Sequence, residues 1–184
     1  MSLNHELHMM VDLETLGTSP SSIILSIGAV TFVPASDFSY EDSIYRELNI
    51  RDQNRTIDTD TIKFWMAQET KPPMDGICSL EEALADLTLF IETLRPKHFW
   101  ANGTDFDFSL LKNAYDQAGM SIPWGYNDIK DYRTMRKLFR HVPIFEQNPD
   151  AHNALSDAKY QAMHLSAILV NLDKMVKGYE DDGK

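Results

Sequence analysis

Two acidic residues near the start of the chain are spaced so that they could act together on a cation. Asp12 and Glu14 lie two residues apart at the end of the apolar stretch Leu7 to Leu13, which predicts a β-strand. Residues two apart on a strand point to the same face, so both carboxylates would project together while Leu13 turns the other way. Asp-x-Glu is also common in a chain with 28 acidic residues, so two solvated carboxylates at a strand end are the alternative for this pair alone.

A third acid, Asp107, falls where a predicted strand meets a predicted helix. The strand ends at Asn102, a glycine allows a sharp turn, and Phe106 and Asp107 open the helix. The helix dipole stabilises a carboxylate in a first turn. This leaves the alternative that Asp105 or Asp107 only caps the helix.

A histidine and a fourth acid, His152 and Asp157, fall at the start of the last predicted helix, in the segment HNALSDAKYQA. Five residues along a helix correspond to about 500°, so the two side chains would not share a face if both were helical. His152 is therefore expected on the loop before the helix, with Asp157 pointing into the same site from the first turn. A helix cap beside an exposed histidine is the alternative.

Taken together, the acidic clusters predict a site for divalent cations. Each falls where a strand or loop meets a new element, and four converging carboxylates repel one another unless cations neutralise them. Oxygen ligands suit Mg²⁺ or Mn²⁺ rather than zinc. Two such ions close together can activate a water molecule and stabilise the leaving oxygen of a phosphodiester.

The elements that would position these residues follow an α/β order. Predicted strands cover about Leu7–Leu13, Ile23–Phe32, Ile44–Ile50, His98–Asn102 and Asp128–Tyr132. Predicted helices run from a capping box of Ser79 and Glu82 to just before Pro96, from Phe106 to Ala118, and from Ala154 to Val176. The first three strands are joined by short links, which favours antiparallel neighbours.

Length and composition limit the class of protein. The 184 residues suit one domain, which we place at residues 1–177, and the acidic segment 178–184 is predicted to be a disordered tail. No apolar run approaches the roughly 20 residues that span a bilayer, and the first residues lack the pattern of a signal peptide. The one cysteine, Cys78, excludes an internal disulfide and favours the reducing cytoplasm.

The net charge of −11 argues at first against a nucleic-acid partner, because phosphate binders usually carry excess positive charge. Two observations weaken that objection. Bound cations would supply positive charge at the acidic site. In addition, five basic residues crowd into one short segment: Lys130, Arg133, Arg136, Lys137 and Arg140. Net charge alone therefore decides nothing about the partner.

Three segments resemble the exonuclease motifs of the DEDD superfamily in order and separation: VDLETLGTSP, WANGTDFDFSLLKNAY and HNALSDAKYQA. The resemblance covers about residues 7 to 172. The histidine five places before Asp157 is typical of the DEDDh branch, whereas the tyrosine branch has its base four places before, where this chain has Asn153. The further segments TIKFWMAQ and DIKDYRTM resemble phage-borne exodeoxyribonucleases of the DexA or exonuclease VIII-like kind, with RNase T and oligoribonuclease as more distant relatives.

The resemblance implies an RNase H-like fold, a five-stranded mixed sheet of order 3-2-1-4-5 with helices on both faces. It also implies the roles of the site residues. Asp12 would bridge two Mg²⁺ or Mn²⁺ ions, Glu14 and Asp157 would complete the shell of the first ion, and Asp107 would hold the second. His152 would take the proton of the attacking water.

Candidate contacts with the substrate are also implied by the resemblance: Thr15, Leu16, Trp65, Asn102, Phe106 and Arg133. Trp65 or its neighbour Phe64 would stack on a terminal base, although an aromatic side chain in a helix core is the alternative. Arg133 would either meet a phosphate or pair with one of the many acids.

The resulting hypothesis is a 3′→5′ exonuclease that releases 5′-mononucleotides, with DNA preferred to RNA and a homodimer as the expected assembly. The same chemistry on RNA is the alternative within enzymes. A non-catalytic nucleic-acid-binding or polymerase-associated subunit is the alternative from a different class. The intact set of four acids and one histidine argues against that third possibility.

Overall fold

The structure, a computed structural model, describes residues 5–143, 148 and 150–182. Its strands are β1 (His8–Thr15), β2 (Ile24–Phe32), β3 (Asp42–Glu47), β4 (His98–Ala101) and β5 (Ile129–Asp131). Its α-helices are α1 (Thr59–Ala67), α2 (Leu80–Leu94), α3 (Thr104–Gln117), α4 (Tyr132–Leu138) and α5 (Ala154–Asp182). None of the helices within these described ranges is long and apolar enough to cross a membrane.

The strands form one mixed sheet in the order β3-β2-β1-β4-β5. β1 and β2 pair antiparallel, as do β2 and β3, whereas β4 runs parallel to β1 and β5 runs parallel to β4. The predicted α/β class and the predicted RNase H-like strand order are confirmed. Because β1, β4 and β5 run in one direction, their carboxyl ends meet at the same edge of the sheet.

The two faces of this sheet are covered by different helices. Met9 and Leu13 of β1 belong to a core that includes residues of α2 and α3. Met10 belongs to a second core, with residues of α5. Since side chains alternate along a strand, Asp12 and Glu14 share the α5 face with Met10. The alternating direction of the side chains along β1 therefore places both carboxylates beneath α5.

α5 lies close to the sheet because its contact face is made of small residues. Ala154, Ala158 and Ala162 recur every four residues and have no exposed surface. β2 has Gly28 opposite Ala154, and Gly28 pairs with Asp12 of β1. A Cβ atom at position 28 would come within 2.3 Å of the carbonyl carbon of Ala154. The lack of a side chain at Gly28 therefore lets the N-terminus of α5 approach the strand that carries Asp12.

Every predicted strand differs from the structure by at least one residue at an end, and β1 and β3 differ most. β1 continues to Thr15 instead of ending at Leu13, so Glu14 lies within the strand. β3 covers Asp42–Glu47 rather than Ile44–Ile50, because a 3-10 turn forms at residues 50–52. The ends of β1 and β3 are set by their backbone pairing with β2, which the pattern of apolar residues does not predict.

Helix boundaries also differ from the prediction. α3 starts at Thr104, two residues before the predicted Phe106. α5 continues past Val176 to Asp182, into the segment that the sequence predicts as a tail. Residues 183–184 of that tail lie outside the described residues.

Candidate active site

Asp12 and Glu14 extend from β1 at the carboxyl edge of the sheet. Glu14 is 8% exposed, and Asp12 is half-buried with its Oδ1 atom accepting a hydrogen bond from Gln161 Nε2 at 2.8 Å. Burial raises the pKa of Asp12 to about 7; the Gln161 hydrogen bond opposes this rise and the charge of Asp157 adds to it. Burial, followed by the charges of Asp12 and Asp157, raises the pKa of Glu14 to about 9. Both carboxyl groups therefore resist ionisation until a cation is near.

Asp107 reaches the same place from the first turn of α3. Gly103, with a φ of 111°, reverses the chain between β4 and that helix. Asp107 is 2% exposed, and its Oδ1 atom accepts a hydrogen bond at 3.2 Å from the backbone N–H of Leu13, the residue between the two β1 carboxylates. Burial, and next the charge of Asp12, raise the pKa of Asp107 well above its ordinary value. Asp105, by contrast, is exposed.

His152 and Asp157 are joined through the backbone rather than through a shared helix face. His152 precedes α5 and has a φ of 68°, a left-handed conformation that is uncommon for a residue with a side chain. Its backbone N–H donates to Asp157 Oδ2 at 2.8 Å, and Asn148 Nδ2 donates to Asp157 Oδ1 at 2.8 Å. Ligand atoms of Glu14, His152 and Asp157 all lie within 4.8 Å of one another, close enough to surround one metal ion.

The set of donor atoms fits hard divalent cations. Four carboxylates meet at this edge, and within the described part of the chain no Lys or Arg forms an ion pair with any of them. Buried charges of one sign are unfavourable without a counter-ion. Carboxylate oxygens are the ligands that Mg²⁺ and Mn²⁺ prefer. The site therefore has the chemistry of a divalent metal centre.

A cavity of about 510 Å³ opens beside the carboxylates. Its lining includes Glu14, Thr15, Asp58, Thr61, Phe64, Trp65, Phe106 and His152. Phe64 is 43% exposed, and its ring centroid lies 5.2 Å from that of His152 in an edge-on arrangement. An exposed aromatic side chain next to a metal centre can hold a flat ring close to a phosphodiester.

Three of the predicted substrate contacts line this cavity, but one of them has a structural role. Thr15 and Phe106 are at the wall, and so is Trp65. Trp65 is only 4% exposed, and its indole Nε1 donates to the Thr15 carbonyl oxygen at 2.9 Å, which fixes α1 to the end of β1. Leu16 is 2% exposed and packs in a core cluster with Ile23. Against the prediction, the structure places Leu16 in the core rather than at the cavity.

Asn102 and Arg133, also predicted as substrate contacts, do not line the cavity. Asn102 lies in the turn between β4 and α3, and Arg133 reaches this turn from the start of α4. Arg133 is exposed, and its Nη2 donates to the carbonyl oxygen of Asn102 at 2.6 Å. Asn102 Oδ1 is buried and has no hydrogen-bond partner among the described residues. Arg133 thus contacts the backbone just before α3 rather than the carboxylates.

Sequence reasoning missed Gln161, which supports Asp12 from α5. Gln161 lies four residues after Asp157, so both side chains project from one face of the helix. Its Nε2 holds Asp12 Oδ1, while its Oε1 is buried with no partner among the described residues. The sequence shows that Gln161 lies one helical turn after Asp157, and this spacing could have identified it. The hydrogen bond from Gln161 to Asp12 could not be predicted, because these residues lie 149 positions apart in the chain.

Residues 7–169 match the model of a family described as the 3′-5′ exoribonuclease Rv2179c-like domain. This range includes all five residues predicted to act in catalysis. No curated protein sequence matches the chain.

Solved structures share the fold at low sequence identity. One is the nuclease domain of 3′hExo, a DEDDh family member, bound to rAMP; it is 14% identical with a TM-score of 0.67, over 90% of this chain and 92% of that one. Another is a product-bound structure of exonuclease I, 11% identical with a TM-score of 0.64, over 92% of this chain. This chain spans 46% of the length of exonuclease I. At these identities the likeness shows a shared fold.

Proposed function

Because the chain belongs to the Rv2179c-like 3′-5′ exoribonuclease domain family, we propose that it removes mononucleotides from the 3′ ends of single-stranded RNA. The observation that carries the proposal is the meeting of four carboxylates and His152 at one sheet edge, beside a cavity with an aromatic wall. The family match and the fold together support the broader class, a 3′-5′ exonuclease of the DEDDh superfamily.

The carboxylates would hold two divalent ions, Mg²⁺ or Mn²⁺. Glu14 and Asp157 would hold one ion and Asp107 the other, with Asp12 shared between them. When bound, the ions supply the positive charge that a phosphodiester needs near this acidic site and make a water molecule more acidic. Gln161 keeps Asp12 in place through its hydrogen bond, so this carboxylate is oriented before any ion binds.

His152 would take the proton from the attacking water at an imidazole nitrogen. Its ring lies edge-on to Phe64 and Trp65, with centroids 5.2 Å and 5.8 Å away, and its backbone is tied to Asp157. These contacts restrict the orientation of the ring before substrate arrives. Phe64, the more exposed of the two aromatic residues, would stack on the terminal base.

We expect His152→Ala to lower kcat by about 10²- to 10⁴-fold, the usual contribution of a general base. Mn²⁺ affinity, measured by isothermal titration calorimetry, should change far less than in Asp157→Asn. An equal loss of affinity in the two variants would identify His152 as a metal ligand rather than as the base.

The proposed substrate, RNA, differs from the DNA that the segments TIKFWMAQ and DIKDYRTM predict through their resemblance to phage-borne enzymes. The family match supports RNA, while the likeness to phage-borne enzymes stays a prediction. The physical difference between the two substrates is the 2′-hydroxyl of the sugar. Asp58, Asp60 and Thr61 line the cavity, and their side chains contain oxygens that can accept a hydrogen bond from a sugar hydroxyl. A hydrogen bond to a charged group contributes roughly 1.5–3 kcal/mol, and DNA would lack it.

Matched single strands of RNA and DNA test this proposal directly. With Mn²⁺ at one stated salt concentration, we expect kcat/KM to be about tenfold or more higher on RNA, in line with one hydrogen bond from the 2′-hydroxyl to a charged group. The product should be the 5′-mononucleotide, and EDTA should abolish its release. A tenfold preference for DNA would contradict the choice of RNA, and full activity in EDTA would contradict the metal centre.

A further inference from the structure

α4 and the turn after it present a cluster of positive charge on an acidic protein. Residues 132–143 contain Arg133, Arg136, Lys137 and Arg140 but no Asp or Glu, in a chain of net charge −11. All four side chains belong to exposed residues. At 100° per residue, the three that lie within the helix fall in a sector of about 100°. We refer to Arg136 and Lys137 of the helix, together with Arg140 of the turn after it, as the α4 basic face.

The charge of the α4 basic face is not neutralised by the acids around it. Asp131, the nearest acid in sequence, accepts hydrogen bonds with both carboxylate oxygens, from the backbone N–H groups of Thr104 and Thr134. Within the described residues, no member of the face forms an ion pair. None of these three positive charges is therefore paired with a carboxylate of the described residues, and an anionic partner can reach them.

The α4 basic face belongs to a helix that starts at the active-site edge. β5 ends at Asp131 immediately before α4 and runs parallel to β4 and β1, so α4 starts beside the carboxylates. Arg133, at the start of α4, bonds to the Asn102 carbonyl just before the helix that carries Asp107. The Tyr132 hydroxyl lies 2.7 Å from His164 Nδ1 and fastens α4 to α5. The face is thus held rigidly to the two helices that supply site residues.

We propose that the α4 basic face binds the phosphodiester backbone of the substrate strand upstream of its 3′-terminal nucleotides. This inference rests on the proposed function, since a strand whose 3′ end occupies the cavity must leave it across a neighbouring surface. Arg and Lys side chains neutralise phosphates whatever the base, so the face adds affinity without sequence preference. Outside residues 132–143 acidic residues outnumber Lys and Arg, which makes this face a favourable surface for a phosphate backbone.

The test uses a triple variant, Arg136→Gln with Lys137→Gln and Arg140→Gln, and a control that loses the same charge elsewhere. The control is Arg95→Gln with Lys97→Gln and Lys177→Gln. Arg95 and Lys97 precede β4, at the edge of the sheet opposite the site, and Lys177 lies roughly 30 Å along α5 from Asp157. On a 15-nucleotide strand we expect the face variant to show about a tenfold or larger rise in KM with kcat unchanged.

Two further measurements make the proposal specific. The wild-type KM should fall as the strand lengthens from 3 to about 15 nucleotides, and the face variant should lose this dependence while the control keeps it. The slope of log KM against log salt should decrease by about two, at roughly 0.7 per lost phosphate contact on a single strand. Equal effects of the two triple variants, or an equal loss on the shortest strand, would overturn the proposal.

Binding without turnover separates this inference from the proposed function. Fluorescence anisotropy of a labelled 15-nucleotide strand in EDTA measures affinity even if the protein degrades no strand at all. A Kd raised tenfold in the face variant and unchanged in the control would support the face. Identical Kd values for the wild type and the face variant would contradict the proposal that the α4 basic face binds the strand, whatever the activity assay shows.

Discussion

Replacing Asp12 by Asn is expected to lower kcat about a thousandfold or more while raising the melting temperature of the metal-free protein. Asn keeps the shape of the side chain and accepts the Gln161 hydrogen bond, but it removes the charge that two cations would share. Charge stabilisation of the transition state by bound metal is worth several kcal/mol, and each 1.36 kcal/mol corresponds to a factor of ten in rate. Release of labelled mononucleotide in saturating Mn²⁺ measures the loss.

The gain in stability follows from the raised pKa values of the β1 carboxyl groups. The pKa values of Asp12 and Glu14 are about 7 and about 9 in the fold, above the usual carboxyl value of about 4 in an unfolded chain. Below about pH 4 both carboxyl groups are protonated in the folded and in the unfolded protein, so they do not lower the free energy of unfolding. Above about pH 4 the unfolded chain loses these protons first, so the metal-free fold loses stability as pH rises, until Asp12 ionises in the fold near pH 7 and Glu14 near pH 9.

Melting temperatures measured in EDTA between pH 4 and pH 9 test this account. The difference between Asp12→Asn and the wild type should grow from pH 4 to about pH 7 and then level off, and Mn²⁺ should raise the melting temperature of the wild type much more than that of the variant. A difference that stays constant with pH would show that Asp12 ionises freely in the fold. A kcat near the wild-type value in the variant would show that Asp12 is not a required ligand of the metal ions.

Replacing Asp107 by Asn is expected to lower kcat/KM by two or more orders of magnitude, whereas Asp105→Asn should stay within about twofold. Asp107 is buried against the backbone N–H of Leu13, so Asn in its place keeps that hydrogen bond and loses only the charge. Asp105 is exposed, two residues earlier on the same helix. Residues two apart on a helix point about 200° apart, so only one of the pair faces the site.

Kinetics and Mn²⁺ titration on both variants complete this comparison. Melting temperatures serve as the control for folding, since both substitutions keep the size of the side chain. We expect Asp107→Asn to weaken binding of one metal ion and Asp105→Asn to bind metal like the wild type. The reverse ranking would mean that the first turn of α3 presents the other acid to the substrate.

The sequence alone predicted the fold class, the strand order and the grouping of the five candidate catalytic residues. Apolar patterning and short links identified the elements of the sheet, because burial of alternate residues is a local property of a strand. The order 3-2-1-4-5 came from the resemblance to DEDD exonucleases. The spacing of five residues between His152 and Asp157 placed the histidine on the loop before α5, where the structure has it.

Only the tertiary structure decided which side chains support the site and which are buried away from it. The hydrogen bonds from Leu13 to Asp107 and from Gln161 to Asp12 join residues 94 and 149 positions apart. Such pairs depend on how closely and at what rotation a helix packs on the sheet, and no local pattern contains that information. The same packing places Leu16 in the core and leaves the α4 basic face in solvent beside the site.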